Sequence, residues 1–445
     1  MQLKKSNGAG PSTLVAATCA LLSSAPARSD TTAPADGDWL VDTALLYYRE
    51  DHNRVQAIEP VVSLSKDFGD DRTLALKLTY DSLSGGSPNG ALPSNQPQTF
   101  ASPSGTSLQA PSGDLGTTPS ERVGEELEHL SLYTVAPGEL PLDPNFRDQR
   151  AAVSVNWQQR AGEFARLSLG GDFSYEHDFT SAAVNVALAR DFNTRNTTLS
   201  LGGNFEGDRI NPIGGTPVGG SDYALLLKGG NEAKTVAGGL LGVTQVLGRR
   251  WLAQLNFTYD RSNGYLTDPY KILSVLDTGG NTTGYRFEIR PDIRTRKSVF
   301  LENKVAIGHD DVFDLSLRYM TDDWGVKSRT AELRYRWELG GDMYVEPHAR
   351  YYSQSAADFY NLYLNSTDPL PEFTSADARL GKFNAATLGV KFGMELDGGG
   401  EFSLRLEGYE QSPQDVPAGF GELQGLDLNP GLKALMLQVG YRFAY

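Results

Sequence analysis

Through most of the chain, apolar residues recur at every second position, and short turns separate one such run from the next. Alternation with period two is the pattern of a strand with one apolar face. The last stretch, LKALMLQVGYRFAY, shows it most clearly: Leu435, Leu437, Val439, Tyr441, Phe443 and Tyr445 share one face. Met436, Gln438, Gly440, Arg442 and Ala444 share the other. A bare apolar ladder with three aromatics invites aggregation in water, whereas a membrane barrel pairs its last strand with its first and sets aromatics at the lipid interface. The alternative is the last strand of a sandwich. At the other end Trp39, Val41, Thr43, Leu45 and Tyr47 line one face of Trp39 to Glu50, and Leu74, Leu76, Leu78 and Tyr80 repeat the pattern two strands later. Pro60 is awkward inside the strand between them.

Reading on in this way gives about sixteen strands of spanning length, an even number as bacterial barrels require. The order of the connections sharpens the assignment. Long segments follow the third, seventh, ninth, thirteenth and fifteenth strands. Every connection after an even strand is tight: FGDD, QRAGE, NTRN, LGRR, HDD, LGGD and DGGG. With both strand ends of the chain on the periplasmic side, all long loops fall outside and all even-numbered turns inside. The expected fold is an all-β transmembrane antiparallel barrel over residues 28–445. Residues 84–120 form a low-complexity, mobile extracellular loop, and ERVGEELEHLSL beyond them a short helix. The segment Arg261 to Thr295 reads as another long loop.

The same alternation assigns the lumen. Inward positions carry Glu332, Arg334, Arg336 and Glu338 on one strand and Glu346, His348, Arg350 and Tyr352 on the next, with Arg318, Arg405, Lys391 and Glu407 nearby. Strands four to nine present mostly Ser, Asn, Gln, Thr and Gly inward, so charge is expected in the C-terminal half of the wall. His348 is expected to be the only lumenal histidine. Balanced acids and bases there serve either a pore with a transverse field or a paired lattice that solvates and stiffens the interior.

Composition narrows the functions. No apolar run past the N-terminus is long enough for a helical span, and a mean hydropathy of -0.36 suits a barrel in which alternate residues meet lipid. A net charge of -15 argues against a nucleic-acid partner. Five histidines and one cysteine, Cys19, give no metal-ligand spacing and no internal disulfide. The acidic pairs, Asp322-Asp323 among them, lack the spacing of a calcium loop, so no metal and no cofactor is expected. No Ser-His-acid grouping is readable, and an enzyme is not expected. Lys4 and Lys5, the apolar stretch from Ser12 to Leu22 and Ala25-Pro26-Ala27 form an export signal over residues 1–27. Thr18 before Cys19 argues against a lipoprotein.

GELPLDPNFRDQR, RPDIRTRKS, YMTDDWGVKS, ELRYRW and RYYSQSAADFY resemble a bacterial family of outer-membrane proteins known only as a domain of unknown function, from Asp38 to Tyr445. The resemblance implies an outer-membrane barrel. It also implies a setting near a periplasmic flavin transferase, a small lipoprotein and a thioredoxin-like protein, hence a redox or cofactor-handling context. By strand parity these motifs lie at the outer ends, placing Asp143, Arg147, Asp148, Arg290, Asp292, Arg294, Arg296, Asp322, Asp323, Trp324 and Asp358 at one rim. They form either a constriction or docking site of Arg-Asp pairs, or a network pinning long loops into the mouth. The expected function is a porin-like channel or transport component for small hydrophilic solutes in the bacterial outer membrane, in contact with outer-membrane lipid. The alternative is a non-conducting scaffold for a periplasmic or surface protein partner. The sequence leaves the oligomeric state open.

Overall fold

The computed structural model describes residues 39–69, 71–102, 132–212, 214–225, 229–308 and 310–445. The export signal, the ERVGEELEHLSL helix but for its last residue, and residues 103–120 of the low-complexity loop lie outside them. Sixteen strands close into one antiparallel barrel. They are β1 (Trp39–Glu50), β2 (Gln56–Asp67), β3 (Thr73–Pro88), β4 (Leu142–Arg160), β5 (Ala165–Glu176), β6 (Phe179–Phe192), β7 (Thr197–Ile210) and β8 (Glu232–Gly248). The second half has β9 (Trp251–Gly264), β10 (Ile293–Ile307), β11 (Asp311–Asp322), β12 (Lys327–Gly340), β13 (Met343–Gln354), β14 (Phe383–Leu396), β15 (Gly400–Pro413) and β16 (Leu432–Ala444). The seam is an antiparallel ladder from Leu40 opposite Ala444 to Glu50 opposite Ala434. Trp39 and Tyr445 close it by exchanging N–H to carbonyl hydrogen bonds of 2.8 Å.

Alternation sets the two faces. Leu45, Leu78, Val184, Leu201, Leu255, Leu317, Trp337, Leu388, Leu406 and Leu437 all stand exposed on the outside, Leu388 at 68%. Such a continuous apolar belt is tolerable only against lipid, which makes this a membrane-spanning barrel. Pro60 lies opposite Leu45 in the β1–β2 ladder. The β2–β3 ladder skips from Ile58 to Val61, so the missing donor falls at a gap.

The extracellular ends of several strands run further than periodicity alone indicated. β3 continues to Pro88, and β4 begins at Leu142 with the whole DPNFRDQR stretch inside it. Prolines and acids mask the alternation there. The long connections also fold inward. Ile272–Leu276 pairs antiparallel with Thr282–Phe287 and parallel with Leu364–Asn365, and Gln98–Ala101 pairs with Leu132–Val135. The segment read as loop between β9 and β10 thus supplies two strands of an internal sheet. Residues 89–102 are likewise packed, because Leu92 and Phe100 each find an apolar cluster from distant loops. Leu92 joins Leu276, Leu423 and Leu428, and Phe100 joins Tyr133, Ile272 and Phe287. A third cluster gathers Leu266, Trp324, Val326, Phe359 and Leu380. Together these connections build a cap in the barrel mouth whose centre, Leu273, Ser274, Leu276, Glu288, Thr374 and Ser375, is fully buried. Two loops meet there at glycine backbone. Glu422 donates to the Gly279 carbonyl at 2.9 Å, and a Cβ on Gly421, at φ +51°, would collide with that same oxygen.

Candidate functional site

Between the cap and the barrel wall lies a cavity of about 1160 Å³. From the cap it is lined by Tyr270, Lys271, Arg290 and Arg379. From the wall come Tyr48, Arg150, Arg294, Arg296, Arg350, Tyr352 and Tyr409. Tyrosines and arginines in such number give a surface that stacks on planar groups and donates hydrogen bonds. The Nε of Arg296 and of Arg350 are buried without a hydrogen-bond partner. His177, exposed at the β5–β6 turn, also borders this cavity.

The cap is held by a buried charge network. Arg290, 4% exposed, places Nε 2.6 Å from Glu288 and donates from a terminal nitrogen to Asp377 at 2.9 Å. Glu288 also accepts from the Ser375 hydroxyl at 2.5 Å and the Asp268 N–H at 2.6 Å. Arg379 clasps Asp377 with Nε at 2.9 and 2.8 Å and reaches Asp268 at 2.8 Å. Burial pushes the Glu288 carboxyl up, to about 7, against the pull of Arg290. Burial acts the same way on Asp377, but Arg379 and Arg290 override it and hold that carboxyl well below the usual range. Several contacts tie the cap to the wall. Tyr270 donates to Asp178 at 2.5 Å, and Lys271, its pKa lowered by burial, donates to the Pro88 carbonyl.

The expected rim residues therefore divide among three places. Arg290 lies inside the cap. Arg294, Asp322 and Trp324 form a pin at the β10–β11 end. Asp322 accepts from Arg294 at 2.8 and 2.6 Å and from the Trp324 and Val326 N–H groups at 3.1 and 2.8 Å. The Arg294 guanidinium covers the Trp324 ring at 4.4 Å, and the indole N–H donates to the Ile293 carbonyl at 2.8 Å. Asp323 accepts from the Thr295 N–H at 2.8 Å, and the Asp358 N–H donates to the Trp324 carbonyl at 2.8 Å. Arg147, Asp148 and Arg296 lie instead on the cavity wall, with Asp143. Asp292 is exposed. The pin and the cap network join loop segments to strand ends, Asp143 does the same by accepting from the Ser102 hydroxyl at 2.7 Å, and Arg147, Asp148 and Arg296 border the cavity.

Deeper in the lumen the inward charges form a lattice. The His348 ring lies between two glutamates, Nδ1 2.9 Å from Glu407 and Nε2 3.3 Å from Glu332. Glu332 pairs with Arg334 and approaches Arg350 at 3.9 Å. Arg405 bridges Glu407 at 3.1 Å and Glu346 at 3.5 Å, and Arg336 stacks on Tyr344 at 3.6 Å. Arg318 lies over Phe300 at 5.1 Å. The opposite wall, strands four to nine, carries acids beside the expected Ser, Asn, Gln, Thr and Gly. Glu176, Asp191, Glu206, Asp208 and Asp260 are all buried on it. Asp191 pairs with Arg166, and Asp208 lies 3.3 Å from Lys234. These acids sit at strand ends, outside the central alternation from which the face was assigned.

A family model described as "Protein of unknown function (DUF3570)" matches residues 11–443, which takes in every strand of the barrel. The chain belongs to the DUF3570 family. No curated protein matches it. Among solved structures this DUF3570 chain is similar to a mutant of the ferric enterobactin receptor PfeA from Pseudomonas aeruginosa, with 11% identity and a TM-score of 0.42 over 91% of this chain and 60% of the receptor. It is similar to CdiB from Acinetobacter baumannii at 8% identity, TM-score 0.41, over 90% of this chain and 60% of that one. It is similar also to the outer membrane protein OpdK from Pseudomonas aeruginosa at 11%, TM-score 0.38, over 93% of this chain and 100% of that one. The chain thus spans about three-fifths of the receptors' length. Likenesses this slight decide nothing about the DUF3570 barrel, whose chemistry rests on its own geometry.

Proposed function

We propose that this barrel is a selective channel of the bacterial outer membrane, passing small hydrophilic solutes through the space between its cap and its wall. One observation carries the reading: an arginine- and tyrosine-lined cavity of about 1160 Å³, on the scale of a drug-sized ligand, lies in the lumen beneath the folded loops. A wide sixteen-strand lumen would leave a general aqueous pore. The cap instead narrows it to a space that a solute must fit. Arg296 and Arg350 in its lining favour solutes with anionic or carbonyl groups. The reading involves no catalytic step.

Planar-bilayer recording of the refolded protein tests it. Stable steps below the nanosiemens scale of an open porin, blocked by solutes of fitting size in the swelling of loaded vesicles, support a selective channel. Large unselective steps refute the constriction. A second reading has its own support in the fully buried centre of the cap, which suits a closed barrel holding a periplasmic or surface partner. A silent but folded barrel would select it.

A further inference from the structure

Most cations of the cavity are committed to carboxylates of the fold. Arg290 and Arg379 hold Asp377, Arg294 holds Asp322, and Arg150 holds Asp81. Arg350 differs. It approaches Glu332 only at 3.9 Å, that carboxylate already pairs with Arg334, and the Arg350 Nε is buried without a hydrogen-bond partner. Tyrosines surround it. Tyr352 is two residues further along β13 on the same face, and the ladders align Arg350, Thr387 and Tyr409 in one row across β13, β14 and β15. Each tyrosine uses its hydroxyl on its own strand: Tyr352 donates to Gln354 at 2.7 Å, Tyr409 to Gln411 at 2.8 Å and Tyr48 to Glu50 at 2.8 Å. Residues two apart point to the same side of a strand. These rings therefore lean along the wall and offer the cavity their carbon surface rather than their hydroxyls. From the strands between, β14 and β16, come Ala385, Thr387 and Met436.

We infer that this wall is a binding site for aromatic carboxylates, in which Arg350 takes the carboxylate and Tyr48, Tyr352 and Tyr409 take the ring. A guanidinium fork matches a carboxylate through two parallel hydrogen bonds. A flat ring gains from offset or edge contact with tyrosine in a way that a flexible alkyl chain does not. The spacing fits as well. Arg350 and Tyr409 stand two strands apart, about 10 Å at the backbone, a gap that both side chains reach into. In the ring of sixteen strands β5 stands eight from β13, and on that side Asp148 and Asp178 border the same cavity. That far wall repels an anion toward Arg350. The inference rests on the reading of this cavity as a solute path and narrows the solute to one class. Binding in detergent tests the site alone and vesicle swelling tests passage, so the two can fail separately.

Calorimetric titration of sodium 2-naphthoate into the refolded protein in detergent tests the site. Saturable one-to-one binding is expected. It should weaken about tenfold or more for neutral 2-naphthamide and in Arg350→Gln, each of which removes one half of a charge-assisted contact. Tyr409→Phe should keep the wild-type affinity because the ring stays, while Tyr409→Ser should lose about two- to tenfold. Arg160→Gln, at a periplasmic turn, is the control and should bind as wild type does. A barrel that binds naphthoate yet admits none in swelling keeps the site and refutes the channel. The inference is overturned by the absence of saturable binding, by equal affinity for naphthoate and its amide, or by inorganic phosphate competing as well as naphthoate itself. Equal affinity in wild type and Arg350→Gln overturns it too. Should Arg350→Gln fail to fold, the two Tyr409 variants and the amide make the same decision.

Discussion

Arg290→Met probes the cap most directly. The arginine is 4% exposed and is the nearest cation to Glu288, which is fully buried, while Asp377 keeps its clasp from Arg379. Breaking a buried ion pair from one side costs about 3 to 5 kcal/mol. Glu288 retains its hydrogen bonds from Ser375 and Asp268, so the low end, about 3 kcal/mol, applies here. At about 1.4 kcal/mol per factor of ten, the open population of the cap rises about a hundredfold. Limited proteolysis of the refolded protein reads this population when opening and closing outpace cleavage. Cleavage should fall within the segments around residues 265–292 and 355–382 and accelerate about a hundredfold, while the barrel keeps its heat-dependent shift on gels. Single-channel steps should grow in the same variant. Cleavage within about twofold of wild type would refute the claim that this ion pair holds the cap closed.

Four further outcomes follow from the same geometry. Asp322→Ala leaves Arg294 buried without its carboxylate and should cost about 3 kcal/mol, seen as a lower melting temperature by tryptophan fluorescence; an unchanged melt would remove the pin. Gly325→Ala should cost about 1 to 3 kcal/mol in the same melt, because φ is +83° and its Cβ would meet the Asp358 carboxylate. Tyr270→Phe removes a hydrogen bond to a charged acceptor, about 1.5 to 3 kcal/mol, so cap cleavage should rise at least tenfold with the barrel melt unaffected. The folded carboxyl of Glu288, raised from 4.5 to about 7, binds more protons than the unfolded one between those values, so its contribution is full below the lower value and is lost as pH rises through about 7. Cap cleavage should therefore be faster at pH 8 than at pH 5.5, and Glu288→Gln should flatten the profile.

The barrel was legible because lipid enforces strict alternation, and the tight turns after even strands fixed its topology. Trp39–Glu50 has the boundaries its pattern gives. The inward positions of Glu332, Arg334, His348 and Arg405 followed from parity, but their partners did not, since pairing depends on register between strands. The cap was not legible. Leu92 and Phe100 are isolated apolar residues in a Gly-, Ser- and Pro-rich stretch, and only tertiary contact with Leu276, Leu423, Ile272 and Phe287 makes them core. The acids at the outer strand ends escaped for a related reason. Asp178 and Asp208 lie beyond the middle of the membrane span, where alternation alone no longer says which residues face in.

The clusters that knit the cap impose an order of events on assembly. Leu92 meets Leu428, and Asn89 donates from its side chain to Tyr133 while Ile272 donates to its carbonyl, so segments from near both ends of the chain must already be neighbours. That proximity exists only once β1 has met β16. A half-inserted sheet therefore keeps its loops unfolded and its mouth unobstructed, and the stopper forms last, as a sign that the ring is complete.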